Sequence, residues 1–327
     1  MNTIKNNVVT VKKKVGVPII LMVKADAYGH GLCKVAKYVE NEVGGFGVET
    51  LEEGLRLRRA GIKKEILTLA LCPCEIAKAC DNDLTISLHN EQQIVEIENL
   101  TRQKRINPQL VKVQIKVDCG MHRLGFSPWQ LEKVLPKIKA LALNVVGVYS
   151  HLRDDTPEQI ARFERLASVV KNVYPLAKMH LASSRFLDCE NLRYDKVRLG
   201  VKAYEGAMSA HSQVVESKSL KKGDKVGYGG VELKRDTNVA VVFGGYADGI
   251  ARETPSSVWI GARKCRVLGV CMDCFLVDTG DFSAQIDEKV TLFDGDTIEQ
   301  VAKERGTIEY AVMTSLHGRI VQKYIEK

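Results

Sequence analysis

A chain of 327 residues, 45% hydrophobic and 27% charged, has an ordinary globular composition and can bury one large core or two moderate ones. The formal net charge of +8 does not signal nucleic acid, because basic residues are interleaved with acids and no block of aromatics and Arg/Lys tracks a groove. It reads as solvated surface with a modest attraction for anionic ligands.

Nine cysteines, an odd count with no regular framework, argue for reduced thiols in a cytoplasm. Neither Cys271-Met-Asp-Cys274 nor Cys72-Pro-Cys74 is accompanied by the second pair or closely spaced histidines that a zinc site requires, so no metal is expected.

The chain begins in what looks like a helix. Lys12-Lys13-Lys14, nine mostly apolar residues and Ala25-Asp26-Ala27 then imitate a secretory signal with its cleavage site. The apolar run is short, contains Pro18 and meets a charge at once, so it reads as a strand ending at Lys24. No run approaches the ~20 apolar residues of a membrane span, and no membrane partner is expected.

From Val17 onward β-rich runs alternate with helical periodicity. The pattern predicts strands over 19–23, 45–48, 66–70, 84–87, 110–117, 144–149, 178–182 and 194–199, and helices over 30–43, 51–60, 90–103, 128–141 and 157–173. Eight strands, each followed by a helix or helical turn, are the count of a compact (β/α)8 barrel. An open doubly wound sheet is the competing architecture, but no GxGxxG follows the first strand. In a barrel the chemistry gathers at the C-terminal ends of the strands, where Lys24, Arg123, His151, Ser184 and Arg198 fall.

After about Ser212 the chain turns to frequent Gly, Thr, Val and Asp with short alternating runs over 225–228, 238–243, 257–260, 266–271 and 288–293. The expected organisation is therefore an α/β barrel over 1–212 followed by a C-terminal all-β domain over 213–327. A helical piece at 298–305 precedes a final segment, 308–324.

Taken alone, Lys24 is better read as the first solvated residue after a buried strand. The nonapeptide around it, Val23-Lys24-Ala25-Asp26-Ala27-Tyr28-Gly29-His30-Gly31, resembles the cofactor-lysine motif of the bacterial alanine racemases, whose pyridoxal phosphate is carried covalently by that lysine. Racemisation removes the Cα proton from one face and returns it to the other, so it needs an electron sink and two bases. The resemblance makes Lys24 one base and Tyr246, in Gly245-Tyr246-Ala247-Asp248-Gly249, the other; by itself that pentapeptide reads as a turn.

A phenol with a reference pKa of about 10 needs cationic support to act as a base. The family's histidine and arginine match His151 and Arg198. Arg198 also matches the arginine that faces the ring nitrogen of the cofactor, to which a permanently charged guanidinium donates without transferring a proton. For the phosphate, the resemblance points to Tyr28, Ser184, Gly200, Val201 and Tyr310, the last of which reads equally as a half-buried strand tyrosine. Lys116-Val-Asp-Cys-Gly-Met-His-Arg123 resembles the segment whose arginine binds the substrate carboxylate, with Lys116 at the position of a lysine that is carbamylated in many members. Met272 and Asp273 match a second-domain pair that holds substrate.

The resemblance implies a small amino-acid substrate and a head-to-tail homodimer, in which the β domain completes the barrel site of the partner. It departs from the family at Ser183, Arg185, Glu205 and Cys274, and family members usually begin with an additional strand of the β domain. Arg185 and Glu205 fall near the expected phosphate loops, where a carboxylate weakens phosphate binding unless a cation offsets it. The readings left open are an alanine racemase, a serine or broad-specificity racemase, a non-catalytic pyridoxal phosphate carrier, and a decarboxylase of the same barrel class. An arginine at position 198 speaks against the decarboxylase, and the β domain with Tyr246 and Met272 against the carrier.

Overall fold

The computed structural model describes residues 1–253 and 255–325. The chain divides into two compact units, the first made of Met1–Ala27 and Gly31–Ala203, the second of Tyr28–His30 and the described residues from Tyr204 onward.

The first unit carries eight strands: β1 (Ile19–Met22), β2 (Gly45–Val48), β3 (Glu65–Thr68), β4 (Thr85–Leu88), β5 (Lys112–Lys116), β6 (Asn144–Tyr149), β7 (Lys178–His180) and β8 (Val197–Leu199). All neighbours pair in parallel, in the order β7-β6-β5-β4-β3-β2-β1-β8. The ladder stops between β7 and β8. There the Asp195 N–H donates to the Met179 carbonyl and the Arg198 N–H to the Ala182 carbonyl, each at 3.0 Å, which nearly closes the barrel. Both strands are shorter than the pattern predicts; β7 stops early because Ala182 turns away from the ladder and its N–H bonds the Leu192 carbonyl at 3.1 Å. The expected strand start near Leu110 is instead a 3-10 turn, Pro108–Leu110, which follows from a proline with no N–H to give a ladder and an Asn107 side chain that accepts from the Gln109 N–H.

Strands buried on both faces read as continuous apolar runs, and β1, Ile-Ile-Leu-Met, is buried at every position. Each such side chain contributes roughly 1.5–3 kcal/mol to folding. The helices wrapped outside start at defined caps. Thr50 and Glu53 form a capping box on Leu51–Arg59, Asn90 caps Glu91–Arg102, and Thr156 caps Pro157–Val173. Caps of this kind contribute typically about 1 kcal/mol each, and here they fix the loops leading out of the C-terminal strand ends. The first helix, Asn2–Val15, ends on Gly16 at φ 69, with three lysines in its last turn complementing the helix dipole. The helix Ile76–Asp81 went unread in the sequence, since six residues carry too little periodicity.

In the second unit, β9 (Ala210–Leu220), β12 (Thr237–Phe243), β13 (Val258–Ile260), β14 (Arg263–Val270), β15 (Cys274–Gly280) and β16 (Lys289–Phe293) close an antiparallel barrel in the order β12-β15-β14-β13-β16-β9. A hairpin of β10 (Lys225–Val226) and β11 (Val231–Glu232) closes over a cluster of Val226, Leu233, Val239 and Leu268. The helices Ile298–Glu304 and Glu309–Ser315 follow. Sequence pattern missed β9, whose side chains are mostly exposed and polar, and β15, although the latter alternates cleanly with Phe275, Val277 and Thr279 buried. The architecture is the expected α/β barrel followed by a β domain. Among the described residues no helix is long and apolar enough to cross a membrane.

Candidate active site

Lys24 stands one residue beyond β1, after Val23, and the residues after it make a turn of unusual hand. Ala25, Asp26, Ala27 and Tyr28 all have positive φ, between 52 and 55. For non-glycine residues the left-handed conformation costs roughly 1–2 kcal/mol each. In the first unit the strain is opposed by bonds to the turn. The Asp26 carboxylate accepts from the Leu32 N–H at 3.0 Å and from Arg56 at 3.1 Å, and the Ala25 N–H donates to Glu53 at 2.7 Å. Backbone strain beside a functional lysine is a common mark of a site whose geometry is over-determined by its surroundings.

The Lys24 Nζ donates to Glu49 Oε2 at 2.8 Å, and Glu49 follows β2 as Lys24 follows β1. Glu49 went unnoticed in the sequence reading; its place immediately after the strand over 45–48 was the available signal. Lys116 ends β5 and is 5% exposed. Burial, then the charges of Arg123 and Arg198, hold its amine down to about 8. Arg123 is exposed on the loop after β5, and among the described residues its guanidinium has no hydrogen-bonding or ion-pair partner. His151 follows β6. Burial, then Arg198, Arg123, Lys116 and Lys24, push it down to about 3, so it is a neutral imidazole at physiological pH.

Arg198 on β8 is 4% exposed, and burial lowers it only to about 10, so it remains a cation. Its Nη1 donates to His180 Nδ1 at 2.7 Å and to the His180 carbonyl at 3.1 Å. Its Nη2 donates to the carbonyls of Ser150 at 2.6 Å and Leu181 at 3.0 Å. Nε–H is left without a partner among the described residues, the one unused donor on a guanidinium otherwise locked in place. His180, stacked on Tyr149 with ring centres 4.7 Å apart, is the second residue the sequence reading passed over. Ser184, after β7, accepts the Gly200 N–H on its Oγ at 2.7 Å, which ties the β7 and β8 loops together and leaves its hydroxyl hydrogen and the Val201 backbone beside them. Arg185 turns elsewhere: it donates to the Arg153 carbonyl at 3.0 Å and lies 3.9 Å from Asp154.

The second unit assembles its own group. Tyr246 opens a 3-10 turn, Tyr246–Asp248, whose backbone binds the segment before β15: Tyr246 N–H to the Cys271 carbonyl at 3.0 Å, Ala247 N–H to Met272 at 3.2 Å, and Gly244 N–H to Asp273 at 2.9 Å. A Cβ on Gly245 would stand 2.2 Å from the Met272 carbonyl oxygen, so only glycine allows Tyr246 to come so near Met272. Arg319 clamps the arrangement by donating to Asp248 and Asp273, both at 2.7 Å. Arg252 lies over the Tyr246 ring, 5.8 Å from its centre. Tyr28 stacks on Tyr204 at 4.9 Å, and Tyr310 is 41% exposed on the helix Glu309–Ser315, where a strand tyrosine was the plain alternative.

The first unit thus brings together Lys24, Lys116, Arg123, His151, Ser184, Arg198, Gly200 and Val201 at one end of its barrel, and the second brings together Tyr246, Met272 and Asp273. The donor set fits pyridoxal phosphate: an amine at a strand end, a buried guanidinium with one unspent N–H, a serine and backbone amides for a phosphate, and cations whose mutual repulsion an anion relieves.

Residues 1–207 match the family model described as alanine racemase, N-terminal domain, and residues 207–324 that described as alanine racemase, C-terminal domain. Among individual proteins, the alanine racemase of Pasteurella multocida is 33% identical over 99% of this chain and 96% of its own length. That of Vibrio parahaemolyticus is 31% identical over 94% and 92%. Among solved structures, alanine racemase from Streptomyces coelicolor superposes with a TM-score of 0.90 at 25% identity, covering 100% of this chain and 96% of the other. The Bacillus anthracis alanine racemase with bound L-Ala-P gives 0.86 at 27% identity, covering 97% and 91%.

Proposed function

The chain belongs to the alanine racemase family, enzymes that interconvert L- and D-alanine, and we propose that it does so with Lys24 and Tyr246 as its two bases and pyridoxal phosphate as its cofactor. When bound, the cofactor supplies the electron sink that makes the Cα proton of an amino acid removable. The remaining work falls to side chains of this chain. Lys24 would hold the cofactor, and its amine takes or returns the proton on one face of Cα. Glu49, at 2.8 Å, holds that amine in place. Tyr246 serves the opposite face, a role that rests on the family resemblance.

Arg198, whose Nε–H is unused, would be the residue to face the cofactor's ring nitrogen, as a donor that does not give up its proton. Arg123 binds the substrate carboxylate with its planar fork, and the backbone of Met272, beside Asp273, helps hold it. Ser184 with the backbone of Gly200 and Val201 would hold the phosphate, and the family resemblance adds Tyr28 and Tyr310. Lys116 is a carbamylation candidate: with its amine held down to about 8, about a tenth of it is neutral at pH 7 and nucleophilic toward carbon dioxide. A carbamate there would turn one cation into an anion beside Arg123 and fix its guanidinium for substrate.

We place Tyr246 of the partner subunit opposite Lys24 in a head-to-tail homodimer with shared sites, on the family resemblance. We place the enzyme in the cytoplasm, where nine free cysteines remain reduced, supplying D-alanine for peptidoglycan.

The observation that carries the reading is Arg198, buried, locked through four of its N–H groups and left with one donor at the same barrel end as Lys24 and Arg123. The test is incubation of the cofactor-loaded protein with L-alanine in deuterated water. Deuterated D-alanine is expected. Bound cofactor with neither inversion nor label, on alanine or serine, would leave a carrier protein instead. Mixed Lys24→Ala and Tyr246→Ala dimers should regain part of the activity, and none after verified subunit exchange would overturn shared sites.

A further inference from the structure

The barrel interior holds a file of hydrogen bonds that begins at Arg198 and leaves the molecule at the opposite end. Arg198 Nη1 meets His180 Nδ1 at 2.7 Å, His180 Nε2 meets Gln114 Oε1 at 2.5 Å, Gln114 Nε2 meets Glu65 Oε1 at 2.7 Å, and Lys196 Nζ meets Glu65 Oε2 at 2.8 Å. His180 and Gln114 are fully buried. Glu65 and Lys196 keep about a fifth of their side chains exposed, in a basin of about 450 Å³ lined also by Lys63, Lys112 and Lys178. Four strands contribute, β8, β7, β5 and β3, and the backbone is shaped for it. Gly147 on β6 stands opposite Gln114 in register, and a Cβ there would press to 3.2 Å on the Gln114 amide.

Every donor and acceptor in the file has only one consistent role. A guanidinium has no acceptor, so Arg198 donates and His180 Nδ1 must be the bare nitrogen. His180 Nε2 therefore carries the hydrogen, Gln114 must present its oxygen to it, and the Gln114 amide hydrogens are left for a group that only accepts. Glu65 is that group, with Lys196 donating to its other oxygen.

The geometry points to Glu65 as a positioning residue for racemisation, which acts from the far end of the barrel by setting the direction of this file and thereby the tautomer of His180 and the plane of Arg198. The inference rests on the reading of Arg198 as the partner of the ring nitrogen. Burial, reinforced by Arg198 and Lys196, holds His180 well below its usual pKa, so the imidazole stays neutral and its tautomer is the variable that matters.

Glu65→Gln is the decisive variant, since it removes no volume. With Lys196 still demanding an acceptor, the new amide must turn its hydrogens toward Gln114, Gln114 must flip, and the hydrogen of His180 moves to Nδ1, where it confronts the Arg198 N–H. The double variant Glu65→Gln with Gln114→Glu restores the original direction at identical bulk: the carboxylate then at position 114 accepts both from His180 and from the amide at position 65.

Nitrogen-15 NMR of histidine-labelled protein without substrate should show His180 with hydrogen on Nε2 in the wild type and the double variant, and displaced from it in the single variant. In the cofactor-loaded enzyme the single variant should lose about tenfold in kcat for L-alanine with KM within about twofold, and the double variant should recover to within about threefold. An unchanged tautomer and kcat in Glu65→Gln, or a folded double variant with no recovery, would overturn the inference. Should the single variant fail to fold, the double variant decides by the same two readouts. Failure of the functional reading shows separately, as a wild type that does not racemise while the NMR result stands.

Discussion

The two ends of the first barrel are built from the same strands and the same kinds of charged residue, yet they treat charge oppositely. At the end where the strands begin, cations meet carboxylates: Lys196 and Glu65 at 2.8 Å, Lys112 and Asp83 at 2.7 Å, Lys178 and Asp195 at 3.7 Å, Arg58 and Asp83 at 3.7 Å. At the end where they finish, Lys116, Arg123 and Arg198 have no carboxylate partner among the described residues, and Glu49 serves Lys24. Burial first, and then these neighbouring cations, hold the histidine and lysine there down to about 3 and about 8. One end neutralises charge for stability, while the other holds it in reserve for an anionic ligand, as expected where a barrel keeps its chemistry on the C-terminal face.

Lys24→Ala should break the comparison most severely, abolishing covalently held cofactor and lowering racemisation by about 10³-fold or more. A spectrum of lysine-bound cofactor surviving in that variant would remove Lys24 from its role. Tyr246→Phe should keep the cofactor while losing about 10²-fold or more in turnover, and unchanged turnover would dismiss Tyr246 as a base. Arg123→Lys keeps the charge but not the fork. KM for L-alanine should rise by about tenfold with kcat less affected, whereas an unchanged KM would place the substrate carboxylate elsewhere.

The pH dependence of stability sharpens the same contrast. His151 and His180 stay neutral in the fold, burial being the main cause for each, whereas both protonate in the unfolded chain below about 6.5. The unfolded state then binds more protons, so stability is independent of these groups above about pH 6.5 and falls as pH drops below it, by up to about 1.4 kcal/mol per pH unit for each. Urea midpoints at pH 7 and pH 5 check this, and the slope should flatten in His151→Asn. The smallest effect belongs to the opposite end, where Lys112→Ala breaks an exposed pair and should change stability by less than about 1 kcal/mol without touching kcat. A larger loss would show that the pairs at that end act as a network.

How much of this was legible beforehand differs by element. Strands over 45–48 and 144–149 and the helix over 157–173 match the observed Gly45–Val48, Asn144–Tyr149 and Pro157–Val173, because long apolar runs and clear helical periods carry their own signal. The polar strand β9 does not, since most of its side chains face solvent and nothing in their order marks a ladder. Among site residues, those in contiguous motifs such as Lys24 and Tyr246 could be named from the sequence. Glu49, Gln114 and His180 were not, each being a single polar residue on or just after a strand with partners 18 to 66 positions away.

The sequence by itself determined the barrel, the β domain after it and the identity of the residues offered at the strand ends, because strand and helix patterns are local and the family's motifs are short. Only the tertiary structure decided which of those residues are paired and which are left charged, that the turn after Lys24 is left-handed, and that Arg198 is held by a file of bonds running to Glu65. Those outcomes depend on strands distant in sequence meeting inside one barrel, where burial leaves each donor a single acceptor.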